Sequence, residues 1–234
     1  MIIAANQPYF CPFSGFFYKL QRCDVFVILD TVQFPRGTTW ITRNRFKNDQ
    51  GTLWMTIPVW KKGLGMQRIS DVKICYEGRW QHKHRESLRS AYAHAPYFAD
   101  HVGILDEIFT CQHLTMLECN LAIIRYLVHA LEIDSKIMLL SELGIHARGN
   151  RLLVEMCKVL GSSVYLTQTA AAKYIDTGEF DAAGIRLDFF KYPAPIYPQL
   201  WGDFIPNLSA FDLLFNCGPK AQDILFGSAS ARTD

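Results

Sequence analysis

The chain has 234 residues, half of them hydrophobic and 20% charged. That composition excludes an intrinsically disordered chain, which could not bury enough apolar surface to offset its ordering entropy. It also excludes collagen-like and low-complexity architectures. A formal net charge of +2 excludes a generic nucleic-acid coat, which carries a clear basic excess.

Ile2 to Asn6 is short and apolar and ends at Gln7-Pro8, the pattern of a buried strand followed by a turn. Phe13, Phe16, Phe17 and Leu20 then recur at helical spacing. The β-branched run DVFVILD, Asp24 to Asp30, predicts a second strand closed by an acid. Strand, helix and strand within about 30 residues predict a βαβ unit and hence a parallel pair. From Thr39 to Tyr76 the character changes. Thr39 to Ile41, Leu53 to Val59 and Ile69 to Cys75 are β-rich and separated by Gly and Lys turns, which predicts a small antiparallel insert. Trp80 to Ala93, Tyr97 to Phe109 and Leu114 to Leu131 have helical periodicity. A second α/β run follows. Lys136 to Leu140, Ser163 to Leu166 and Ile185 to Phe190 are expected strands, Asn150 to Leu160 a helix, and Lys173-Tyr174 part of a short helix. Leu208 to Asn216 is expected as a final helix.

The prediction is one α/β domain over residues 1–226 with a mainly parallel sheet. It carries a basic β insert at 36–78 and a helical segment at 79–132. The tail at 227–234 is small and polar and is expected to be disordered. Charge is unevenly spread. Arg36 to Arg89 holds 12 Lys and Arg against four acids, a local balance of +8, and the rest of the chain is at −6. A basic insert on an acidic body suits an anionic small-molecule ligand.

The seven cysteines are scattered, with no C-x-x-C pair, so zinc-ribbon and thioredoxin signatures are absent. They read as free thiols of a reducing, cytoplasmic compartment. The first residues lack the basic start and apolar stretch of a signal peptide. No apolar run approaches the roughly 18 residues of a membrane span. No Walker A, Rossmann glycine fingerprint or nucleophile elbow occurs, and no cofactor or metal is expected.

Five stretches carry candidate chemistry. Gln7, Tyr9 and Gly15 lie between the first strand and the first helix, where open α/β sheets collect ligands. They could offer an amide, a phenol and bare backbone, or simply shape a packed turn. Asp30 closes the second strand, with Gln33 three residues on. Its carboxylate could be a general base or a strand-end acid paired with Arg43 or Arg45. Arg43, Asn44 and Arg45 suit phosphate or carboxylate, because guanidinium donates bidentately. On a strand the two arginines face one way and Asn44 the other. His82, in Trp80-x-His82-Lys83-His84, is either an acid/base or a surface histidine. One H-x-H is poor evidence for metal. In Asn207-Leu208-Ser209-Ala210-Phe211-Asp212, Asn207 or Ser209 can cap the last helix. Asp212 and Asn216 share a face of that helix amid apolar residues, where buried polar groups need partners. Cys11 has no adjacent base and reads as an incidental thiol.

The stretches NQPYFCPFSGFF, DVFVILDTVQF, WITRNR, LWMTIPV, GRWQHKH, APYF, SSVYLT and FIPNLSAFDLLFNCG resemble the WbqC-like family in order and spacing, from Met1 to about Gly218. The family is bacterial, with members often encoded beside surface-polysaccharide genes. The resemblance implies a transferase of O-antigen-type polysaccharide biosynthesis that moves glycine or another small acyl group onto an amino sugar, possibly nucleotide-linked. It implies Asp30 and His82 as catalytic candidates. It implies Gln7, Tyr9, Gly15, Gln33, Arg43, Asn44, Asn207, Ser209, Asp212 and Asn216 as substrate contacts, and the charge of Arg45 adds it beside Arg43 as a phosphate contact. A nucleotide sugar or phosphorylated acyl donor is the expected ligand, with tRNA or a carrier protein as further partners. A non-catalytic nucleotide-sugar or tRNA binder of the same pathway is the alternative. One departure is local: Thr167 to Ala172 reads TQTAAA, where the family often has glycines.

Overall fold

The computed structural model describes residues 1–227. Apart from Gly227, the expected tail lies outside the described residues. In chain order the elements are β1 (Ile2–Asn6), α1 (Ser14–Gln21), β2 (Val25–Ile28), β3 (Arg43–Asn48), β4 (Gly51–Thr56), α2 (Trp80–Tyr92), α3 (Phe98–Thr110) and α4 (Met116–Ala130). Then come β5 (Lys136–Leu139), α5 (Gly149–Val159), β6 (Val164–Gln168), α6 (Thr177–Ala182), β7 (Arg186–Phe190), α7 (Ala210–Cys217) and α8 (Ala221–Phe226).

Five strands form one parallel sheet in the order β5-β2-β1-β6-β7, and β3 and β4 form a separate antiparallel hairpin. This is the expected α/β fold. The βαβ unit is present, with Ile3 to Asn6 in register with Val25 to Ile28. All four β2 residues are buried, as a strand covered on both faces requires. Alternation then divides the core. Ala4, Phe26, Ile28, Leu166 and Phe190 face the larger cluster, with α1, the insert, the helical segment and α7. Ile3, Ala5, Val25, Val27 and Tyr165 face the smaller one, with α5 and α6.

The chain starts in the middle of the sheet, steps outward to β2 and β5, and returns to β6 on the other side of β1. Strand order therefore reverses between β1 and β6, the place where open α/β sheets receive ligands. The two strands pair only at Ile2–Val164 and Ile3–Tyr165. The carbonyls of Ile2 and Asn6 bond toward β2, so that of Ala5 points toward β6. There the Lys19 ammonium donates to it at 2.6 Å, replacing a ladder bond.

The helical segment follows its predicted boundaries closely. Thr115 and Glu118 form a reciprocal capping box at the start of α4, which satisfies two orphan donors. The insert departs from expectation in two places. Thr39 to Ile41 is a turn, closed by Thr42 N–H donating to Thr39 O, and the strand begins at Arg43. Ile69 to Cys75 is a short 3-10 turn at Ile69–Asp71 and then extended chain with two bridges, Val59–Ile74 within the insert and Lys73–Thr115 to the start of α4. The reason is competition for backbone groups. The N–H groups of Ile69 and Ser70 donate to Val32 O and Asp30 O, so they cannot serve a ladder within the insert.

Candidate functional site

A cleft of about 700 Å³ opens at the carboxyl ends of β1, β2 and β5, within the size range of ligand pockets. The segment after β2 builds two of its walls. The Asp30 carboxylate, 2% exposed, accepts from Ser141 N–H at 3.0 Å and so holds the loop that follows β5. Phe34 N–H donates to Gln67 O, and Gln33 bridges to Arg68, which draws an edge of the insert over the sheet. The lining includes Gln7, Gln33, Gln67, Arg68, Ser141, His146 and Arg148, with Met66, Ile145 and Leu152 as apolar surface.

Two guanidinium groups therefore reach the cleft, one from the insert and one from the loop after β5. Among the described residues neither Arg68 nor Arg148 has a salt-bridge partner. Arg148 immediately precedes α5, and no side chain caps that helix. Its first N–H groups are thus available beside the arginine, an arrangement that favours an anion. Gly144 and Gly149 bound the loop with left-handed φ of 64° and 60°, a conformation that costs other residues more. Sequence reasoning missed Arg68, Ser141, His146 and Arg148. The available signal was the pair of glycines between an expected strand and an expected helix.

The sequence-predicted residues fall in three places. Gln7 and Gln33 line the cleft, and Asp30 braces it. Neither Arg43 nor Arg45 is among the ion pairs of the described residues, so Asp30 has no such bridge. His82 lies exposed on α2. Its neighbour His84 is the engaged one, with its Nε2 at 2.9 Å from Thr56 O and its ring against Trp80 and Phe109. Burial pushes the His84 pKa down, although that backbone contact opposes it.

The remaining residues meet where the first loop, β3 and the start of α7 join. Asn44, 1% exposed, donates to the carbonyls of Phe10 and Cys11 at 2.9 and 2.8 Å, and its oxygen accepts from Arg45 N–H. This fixes Cys11 at a left-handed φ of 41°. Burial pushes the Cys11 thiol up, away from the thiolate that a nucleophile needs. Arg45 donates to the carbonyls of Pro206 and Asn207, and its own carbonyl accepts from Ser209 N–H. Ser209 is the cap of α7, its hydroxyl accepting from Phe211 N–H at 3.4 Å. Gly15 is a close-packing position, since a Cβ there would lie 2.3 Å from the Phe13 ring and 2.8 Å from the Tyr192 ring. Tyr9 tilts against Phe16, and burial pushes its phenol up.

Asp212 is fully buried. Its two oxygens accept from the hydroxyls of Tyr92 and Tyr197, each at 2.7 Å. Burial pushes its carboxyl up, against the opposing pull of those donors and of Lys47. Lys47 in turn donates to Gln199 and to Asp203 O. Asn216 donates back to Asp212 O, one helical turn away. The loop Thr167 to Ala172, which lacks the family's glycines, passes from β6 into a 3-10 turn at Thr169–Tyr174, tied by Thr169 to Phe190 O.

All seven cysteines are free thiols. No group of three or more His, Cys, Asp or Glu among the described residues could hold a metal. None of the described helices is long and apolar enough to cross a membrane. No solved structure matches the chain. A Mycobacterium tuberculosis protein, described as uncharacterized protein Rv1507c, is 31% identical over 226 residues, which is 95% of this chain and 96% of that protein. The pattern of the WbqC-like protein family matches residues 7–224. The hairpin, α7 and every strand of the sheet but β1 fall inside that match, and the chain belongs to the WbqC-like protein family.

Proposed function

We propose that the protein is a transferase of surface-polysaccharide biosynthesis that moves glycine or another small acyl group onto an amino sugar. The sugar's phosphate-bearing part would occupy the cleft. The observation that carries the binding half is the convergence of Arg68, Arg148 and the uncapped start of α5 on one cleft at the sheet's carboxyl edge. The acyl-transfer half rests on the family resemblance. Acyl transfer to an amine needs a positioned, deprotonated amine and a stabilised oxyanion. The cleft amides of Gln7, Gln33 and Gln67 supply positioning. Asp30 acts by holding Ser141 and the loop that carries His146 and Arg148. A proton from the attacking amine passes to His146, which lines the cleft itself, or to Asp30, and the bond between the acyl carbon and the donor's carrier, a phosphate or a tRNA hydroxyl, breaks as the amide forms.

The test begins with mass spectrometry of ligands that co-purify with the protein. Calorimetry with nucleotide-linked amino sugars follows, and then turnover with a set of acyl donors. Arg148→Ala and Arg68→Ala should each weaken binding on the order of 10-fold, the worth of one charge-assisted hydrogen bond. Tight binding with no conversion by any donor would make the protein a non-catalytic binder. No binding of any phosphorylated sugar would overturn the reading.

A further inference from the structure

The hairpin of β3 and β4 carries a second feature, independent of what the cleft holds. Trp40 and Trp54 are 42% and 45% exposed. Their rings stack with centroids 5.9 Å apart and planes 29° from parallel. The Arg43 guanidinium sits 3.6 Å from the centre of the Trp54 ring. Arg45, which is opposite Trp54 across the hairpin, lies 5.9 and 6.0 Å from the two ring centres. Its grip on the carbonyls of Pro206 and Asn207 fixes it there.

Two large apolar rings left in water are costly unless something covers them. The charge beside them says what kind of partner would. Among the described residues neither Arg43 nor Arg45 has a salt-bridge partner. The Nε atoms of both are buried without a hydrogen bond; the Arg43 guanidinium lies over the Trp54 ring and Arg45 bonds two backbone carbonyls, so neither positive charge is neutralised by a carboxylate. Between Trp40 and Thr56 the one acid is Asp49, at the hairpin turn. The wider stretch from Arg36 to Arg89 holds 12 basic residues against four acidic ones. Exposed π-faces in a positive field suit a polyanion with unpaired rings. A duplex hides its ring faces, and a neutral glycan gains nothing from the charge.

We propose that this face binds single-stranded nucleic acid, with bases stacking on Trp40 and Trp54 and phosphates meeting Arg43 and Arg45. The test titrates the full-length protein into a fluorescein-labelled oligouridylate of about 12 nucleotides, within the span such grooves cover. Affinity should fall linearly in log–log form as salt rises, and the tryptophan emission should be quenched. The double variant Trp40→Ala/Trp54→Ala should lose on the order of 10-fold or more in affinity, the worth of one or two stacked bases. Should that variant not fold, Trp40→Phe/Trp54→Phe keeps ring faces and should retain binding, and absence of quenching in the wild type would itself overturn the proposal. So would no binding at low salt, equal binding of a duplex of the same length, binding of a neutral oligosaccharide in place of the oligouridylate, or affinity that survives the alanine changes.

Discussion

Lys19 shows how one side chain can serve the place where the sheet divides. It is 7% exposed, and its ammonium reaches the Ala5 carbonyl that β6 leaves unpaired. Burial lowers its pKa from 10.5 to about 8. The folded chain therefore gives up this proton before the unfolded chain does. Below about pH 8 the desolvation penalty is present in full, and it fades as pH rises toward the unfolded value. In Lys19→Met that penalty is absent at every pH. Urea unfolding of both proteins from about pH 7 to 10 should show wild type gaining about 2 kcal/mol relative to the variant. Buried tyrosines and cysteines also titrate at the upper end, but they do so in both proteins and cancel in the difference. A stability gap that stays flat across this range would show that Lys19 is charged and well solvated in the fold.

At the scale of elements, the first loop depends on partners far away in sequence. Asn44 on β3 satisfies two carbonyls of that loop, and Asn120 on α4 donates to Pro8 O and Ile41 O. The loop thus hangs from the hairpin and from the helical segment while it carries Gln7 into the cleft. Asn44→Ala would leave the carbonyls of Phe10 and Cys11 and the N–H of Arg45 without this partner. A loss of about 3 kcal/mol or more in unfolding free energy is expected, together with weaker ligand binding in the cleft. Asn44→Asp should not rescue it, because a carboxylate cannot donate to two carbonyls. These dependences mark the limit of what the sequence discloses. The helices from Trp80 to Ala130 were legible because their apolar period is local. The turn at Ile69 was not, because Asp30 and Val32 claim its N–H groups from across the fold. Asn44, Ser209 and Asp212 stood out in sequence as polar residues in apolar surroundings, and in the structure their hydrogen-bond partners are protein groups. Arg68 and Arg148 did not stand out, since only the strand order brings them to one cleft.

At the scale of the molecule, the uneven charge raises the question of whether the basic insert is a separable unit. Its apolar residues argue otherwise. Phe46, Met55, Ile57 and Ile74 belong to one continuous core with Phe17 of α1, Phe26 of β2, Ile123 of α4 and Phe211 of α7. Backbone bonds cross the same boundaries: Phe10 N–H to Trp40 O, Met116 N–H to Val72 O and Ser209 N–H to Arg45 O. Exposing the insert's core would expose the core of the body, so the two should unfold together, as small single domains do. The tryptophans make this measurable. Trp40, Trp54 and Trp60, three of the five, lie in the insert, whereas the far-ultraviolet circular dichroism signal is dominated by helices outside it. Urea transitions followed by tryptophan emission and by circular dichroism should superimpose, and calorimetry should give one peak with equal calorimetric and van't Hoff enthalpies. An emission change that precedes the loss of helix would instead make the insert an independently melting unit. In that case Arg68 would leave the cleft before Arg148 does, and an anion bound between them should raise the midpoint of the insert's transition first.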